Sequence, residues 1–123
     1  MLTVQYHPKM ADYQLYSEAR RAWLLAALDR LSGEKTFASG HDQDMVVLVR
    51  RKSAGEQIVL AENLNPEPIR QLSFRTASAY REVQRLAGDG TWETVSARSE
   101  DGKLVCETSL AFYEAAVLRF LAK

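Results

Sequence analysis

Hydrophobic and polar positions divide the chain into two unequal parts. From about Met10 to Leu31 there is neither proline nor glycine, and the good helix formers Leu, Ala, Arg and Glu dominate. His7-Pro8 suits a helix entry, because proline's missing N–H costs nothing in a first turn. Ser32-Gly33 supplies the stop, glycine being suited to a left-handed cap. The pattern predicts one long N-terminal helix over 7–33. Met10, Tyr13, Tyr16, Trp23, Leu24, Ala27, Leu28 and Leu31 share one broad face, expected to lie on the protein's own core. Leu15, Ala19, Ala22, Leu25 and Ala26 form a second apolar surface, interrupted by Glu18 and Asp29. A helix apolar on two sides has two neighbours, so this second surface is a candidate interface. The alternative is that its small alanines sit in solvent.

From about Phe37 the chemistry becomes that of strands. Met45-Val46-Val47-Leu48-Val49 is a short β-branched run that predicts a central, buried strand. Gln57 to Leu64 alternates less cleanly, with Ile58, Leu60 and Leu64 on one face. Further strands are expected at Leu72-Ser73-Phe74, Tyr80 to Leu86, Trp92 to Val95, Lys103 to Thr108 and Ala116 to Phe120. Turn signals separate them at Ser53-Ala54-Gly55, Asn65-Pro66-Glu67-Pro68, Gly88-Asp89-Gly90 and Asp101-Gly102. The last is a hairpin signal. About seven short strands without intervening helices predict a mainly β fold, an antiparallel β-sandwich preceded by the helix. No repeat or flexible linker separates the two parts, and the expectation is a single domain over 1–123, with the sandwich from 36.

Charge narrows the function. Sixteen basic and sixteen acidic side chains cancel, which removes the electrostatic footprint of a nucleic-acid binder. No apolar run approaches a membrane span, and the first residues lack the basic-then-apolar form of a secretory signal. The lone Cys106 has no internal partner for a disulfide. A cytoplasmic location is expected if the chain is complete; a piece of a longer chain leaves the address open.

Catalytic chemistry has little to stand on. His7, His41 and Cys106 lack the spacing of any zinc motif, and His41 beside Asp42 and Asp44 reads as a polar loop before a strand. There is no G-x-S-x-G elbow and no glycine-rich phosphate loop. Glu62 and Glu114 are the carboxylates least ordinary in position, but nothing pairs them as glycoside hydrolysis would require. Arg20 falls within the apolar helix face and reads as half of a structural ion pair; Arg50-Arg51-Lys52 reads as a solvated strand end. Trp92, beside the Gly88-Asp89-Gly90 turn, is a candidate for stacking on a sugar ring or, alternatively, a cover for the end of the core. No catalytic, cofactor-binding or metal-binding residue is expected.

Four stretches carry a family resemblance: Asp42 to Arg51; Ile58 to Asn65 with its Asn-Leu pair; Val83 to Glu93 with Asp89-Gly90-Thr91-Trp92; and Leu110 to Phe120 with Glu114-Ala115-Ala116-Val117-Leu118. This succession resembles the C-terminal β-sandwich of bacterial glycoside hydrolases whose catalytic domain is a (β/α)₈ barrel. The preceding helix then resembles the last helix of the barrel region. The resemblance implies a non-catalytic accessory domain that stabilises or shapes a barrel, with that catalytic domain or a partner chain packed on the helix. No catalytic residue is carried over, because in such enzymes the acid and nucleophile sit on barrel strands. A free-standing carbohydrate- or protein-binding module is the alternative, and self-association through the helix is a further expectation.

Overall fold

A computed structural model describes residues 18–33, 35, 37–40, 45–53, 55–77 and 79–122. The chain divides into two compact units, Met1–Thr36 and Phe37–Lys123. In the first, helix α1 spans Glu18–Ser32. It ends as its sequence dictates: Gly33 has φ 74° and its N–H donates to Asp29 O at 2.9 Å. The Ser32 hydroxyl donates to Leu28 O at 2.8 Å, meeting another terminal carbonyl. Residues 1–17, including His7, Met10, Tyr13, Leu15 and Tyr16, lie outside the described residues. Within α1, Ala22, Trp23, Ala26, Leu28 and Leu31 are exposed, while Leu24, Leu25 and Ala27 are half-buried.

The second unit is a β-sandwich. Its described strands are β1 (Ala38–Ser39), β2 (Met45–Ser53), β3 (Glu56–Asn63), β4 (Leu72–Arg75), β5 (Tyr80–Leu86), β6 (Trp92–Val95), β7 (Ala97–Glu100), β8 (Lys103–Cys106) and β9 (Ala115–Ala122). All pair antiparallel, in a four-stranded sheet of order β1-β4-β8-β7 and a five-stranded sheet of order β2-β3-β9-β5-β6. The core lies where inward residues of both sheets meet: Leu72, Phe74, Leu104 and Cys106 from one, Val59, Ala61, Val83, Ala116, Leu118 and Phe120 from the other. Phe74 and Phe120 meet edge to face at 5.4 Å, with Phe37 and Tyr80 packed against Phe120 at 5.5 and 5.1 Å. The Tyr80 hydroxyl donates to Gln57 Oε1 at 2.8 Å, so its polar end is satisfied at the core boundary.

Three features depart from the sequence expectation. β2 lies at the end of the five-stranded sheet, and Val49 is 40% exposed. β-Branched residues fit any half-buried pleated surface, so their run does not separate an edge strand from a central one. On β3 the wholly buried apolar residues are Val59 and Ala61, while Ile58 and Leu60 are only partly buried on the opposite face. Apolar residues on both faces of an interior strand leave its orientation undetermined by alternation. Two strands were not expected: the two-residue β1, and β7, whose residues are all exposed. The chain leaves β6, crosses to the other sheet at Ser96 and enters β7, which turns back into β8 through Asp101 (φ 49°) and Gly102 (φ 71°). Two consecutive left-handed residues make the turn that matches strand twist, so the Asp-Gly signal marks this hairpin.

Candidate functional site

One end of the sandwich is tied together by a buried amide. Asn63, the last residue of β3, is wholly buried. Its Nδ2 donates to Glu67 O at 2.8 Å, Ala111 O at 3.1 Å and Leu110 O at 3.4 Å. Its Oδ1 accepts from the backbone N–H and Nδ2 of Asn65 at 2.9 and 3.0 Å. Every polar atom of the side chain is engaged, so burial carries no desolvation penalty left unmet. The two loops that it joins, 64–71 and 107–114, also exchange backbone hydrogen bonds between Ile69 and Leu110 at 2.9 and 2.8 Å.

The second loop closes in a turn over Ala111–Glu114. Glu114 N donates to Ala111 O at 3.1 Å, and the Glu114 carboxylate returns the bond, accepting from Ala111 N at 2.7 Å. The other carboxylate oxygen accepts from Arg85 Nη2 at 2.7 Å, and Arg85 Nη1 donates to Thr108 Oγ1 at 2.7 Å and Ser109 O at 3.2 Å. The Ala111 amide, and after it the Arg85 guanidinium, hold the Glu114 carboxyl below its ordinary value, against the opposing effect of partial burial. Sequence position had marked Glu114 as unusual, and its role here is to close a turn. Glu62 is half-buried on β3.

At the tip of this turn stand two aromatic rings. Phe112 and Tyr113 are 52% and 61% exposed, with ring centroids 4.1 Å apart and planes tilted by 35°. Tyr113 has φ 54°, a left-handed conformation unusual for a bulky residue. Leu64, next to Asn63, is 39% exposed at the same end. The sequence gives no signal for this pair, which reads there as part of the run into the last strand.

Trp92 lies elsewhere, at the start of β6 on the edge of the five-stranded sheet. It is half-buried, and the Arg119 guanidinium sits 5.7 Å from its ring centroid. Arg119 is fixed by Glu56 at 2.6 Å. The Gly88-Asp89-Gly90 turn beside it is closed by Asp89, whose Oδ1 accepts from the Thr91 hydroxyl and amide at 2.7 and 2.9 Å. Those bonds lower the Asp89 carboxyl from its ordinary value. On the outer face of the four-stranded sheet, a shallow depression of about 270 Å³ is lined by Gln71, Ser73, Arg98, Glu100, Asp101, Lys103 and Val105. Three of its four charged side chains are engaged: Arg98 spans Glu100 at 3.0 Å and Glu107 at 2.9 Å, and Lys103 Nζ donates to Gly40 O at 2.7 Å.

Cys106 is wholly buried in the core, and burial pushes its thiol up to about 12. Among the described residues, no three His, Cys, Asp or Glu side chains converge as a metal-ligand set. His7, His41 and Leu15 lie outside the described residues, as do the side chains of Ala19, Arg20, Arg50, Arg51 and Lys52. Of the candidate interface on α1, Ala22 and Ala26 are exposed and Leu25 is half-buried. No helix among the described residues is long and apolar enough to cross a membrane.

No protein-family model and no curated protein matches the chain. Among solved structures, alpha-L-fucosidase isoenzyme 2 from Paenibacillus thiaminolyticus is similar at a TM-score of 0.52 and 18% identity, over 87% of this chain. The chain spans 18% of the fucosidase's length. At that identity the likeness speaks for the fold: this chain carries a β-sandwich similar to a small part of a glycoside hydrolase chain.

Proposed function

We propose that this chain is a non-catalytic accessory β-sandwich of a glycoside hydrolase-like protein, which stabilises or shapes a catalytic barrel. The observation that carries the proposal is the extent of the fold likeness, 87% of this chain against 18% of a fucosidase chain. A segment of that size leaves most of such an enzyme to house the chemistry. The side chains support the same reading. The one buried thiol is held protonated, and the ion-paired carboxylate Glu114 is spent on closing a turn. A general acid for glycoside hydrolysis needs a raised carboxyl pKa, opposite in direction to that of Glu114.

The test is a truncation. In the native polypeptide, removing the segment that corresponds to Phe37–Lys123 is expected to lower the thermal midpoint of the remainder. The isolated chain is expected to release no chromophore from a panel of aryl glycosides. Turnover by the purified isolated chain, abolished by a point substitution within it, would overturn the proposal.

A further inference from the structure

We infer that the turn bearing Phe112 and Tyr113 is the anchor by which this sandwich docks on a second folded domain of its own polypeptide; the inference rests on the accessory-domain reading. The argument begins with backbone strain. Tyr113 occupies a left-handed position that glycine would fill more easily, and residues held in such conformations persist where the surroundings over-determine them. Here the surroundings do so from three sides. The Glu114 carboxylate closes the turn onto Ala111, Arg85 on β5 holds that carboxylate, and Asn63 on β3 holds the Ala111 carbonyl. A rigid mount of this kind loses little freedom when its tip is buried.

What the tip carries is apolar and still uncovered. Phe112 and Tyr113 are 52% and 61% exposed, their ring centroids 4.1 Å apart, and aromatic side chains are enriched at interfaces. The two charged groups that brace the turn, Arg85 and Glu114, are closed on each other at 2.7 Å. With that pair closed, the two rings offer a largely apolar surface whose own polar group is the Tyr113 hydroxyl, a pattern that suits a protein pocket with one polar contact. Its size selects the kind of protein. The uncovered parts of the two side chains come to about 250 Å², well below the roughly 800 Å² per partner of a stable complex between separate chains. A domain joined covalently meets the patch at high effective concentration, and a small contact is then enough.

The test uses Tyr113→Gly, which removes the ring and relieves the backbone together. In the isolated chain its thermal midpoint is expected to stay within about 3 °C of the parent, or to rise. In the native polypeptide the same substitution is expected to speed proteolytic release of this domain at least threefold. Phe112→Ala is expected to act in the same direction. If the native polypeptide is longer than this chain and release is unchanged in both variants, the inference falls and the accessory-domain reading stands. If the native polypeptide is no longer than this chain, both fall. Binding of a neutral probe oligosaccharide such as xylohexaose by the isolated chain, lost in Tyr113→Gly, would overturn docking in favour of a sugar site.

Discussion

Arg85 and Glu114 stand 29 residues apart in sequence and 2.7 Å apart in space, joining β5 to the turn that precedes β9. Neither group is fully exposed, with side chains 28% and 39% accessible. Through this pair the five-stranded sheet fixes the geometry of the aromatic turn. Replacing Glu114 by Gln removes the charge and weakens the closure onto Ala111. The expected cost is about 1 kcal/mol, a half-exposed pair being partly screened by water, read as a lower urea midpoint at pH 7.

The same pair gives a pH dependence of definite sign. The folded carboxyl of Glu114 titrates below its ordinary value of 4.5. Its contribution is therefore present above that value and is lost as pH falls through the lower folded value. Urea midpoints measured from pH 7 down to pH 3 are expected to converge for the parent and Glu114→Gln. A gap that stayed constant across that range would contradict the assignment.

Asn63 makes a sharper prediction. Asn63→Ala leaves the Glu67 and Ala111 carbonyls without their side-chain donor and opens a small cavity, at an expected cost of about 2–4 kcal/mol. Asn63→Asp sets a carboxylate against those carbonyls in a buried site. Its cost is expected to exceed that of the alanine variant at pH 7 and to shrink as the carboxyl is protonated in acid, checked by thermal melts at pH 7 and pH 4.

Gly40 sits where β1 meets β4. A Cβ there would collide with the Ser73 hydroxyl and approach the Ser73 carbonyl carbon at 3.0 Å and Lys103 Cδ at 3.1 Å. Its N–H also donates to Ser73 O at 2.7 Å. Gly40→Ala is expected to push β1 from the sheet edge at a cost of about 1–3 kcal/mol. Amide exchange of Gly40 is expected to quicken with it.

Cys106 reports on opening of the core. With the thiol buried and pushed up to about 12, labelling by a neutral alkylating reagent is expected to be slow in the folded chain. It should reach the rate of a free thiol in denaturant. Fast labelling under native conditions would place Cys106 outside the core described here.

Much of the fold was legible because local chemistry and tertiary structure agree. Ser32-Gly33 stops α1, Asp101-Gly102 turns β7 into β8, and the runs at Leu72, Tyr80, Trp92 and Lys103 begin their strands. β7 was illegible because Ala97-Arg98-Ser99-Glu100 has no buried face to set an alternation. The edge position of β2 was illegible because strand order is a property of the whole sheet. At the candidate site, Glu114 drew notice in the sequence, whereas Asn63 and Tyr113 did not. A buried asparagine is identified by partners 47 and 48 residues away, and a tyrosine's left-handed backbone leaves no mark on composition or spacing. Trp92, singled out in the sequence, has Arg119 against its ring, while the exposed rings at the candidate site are Phe112 and Tyr113.

The most direct test of the central claim is the size of the native polypeptide in its source cells, by immunoblot with an antibody raised against this chain. The expected result is a band several times larger than 13.9 kDa, whose remaining peptides on mass-spectrometric sequencing give a (β/α)₈-barrel pattern. A band at 13.9 kDa would contradict it.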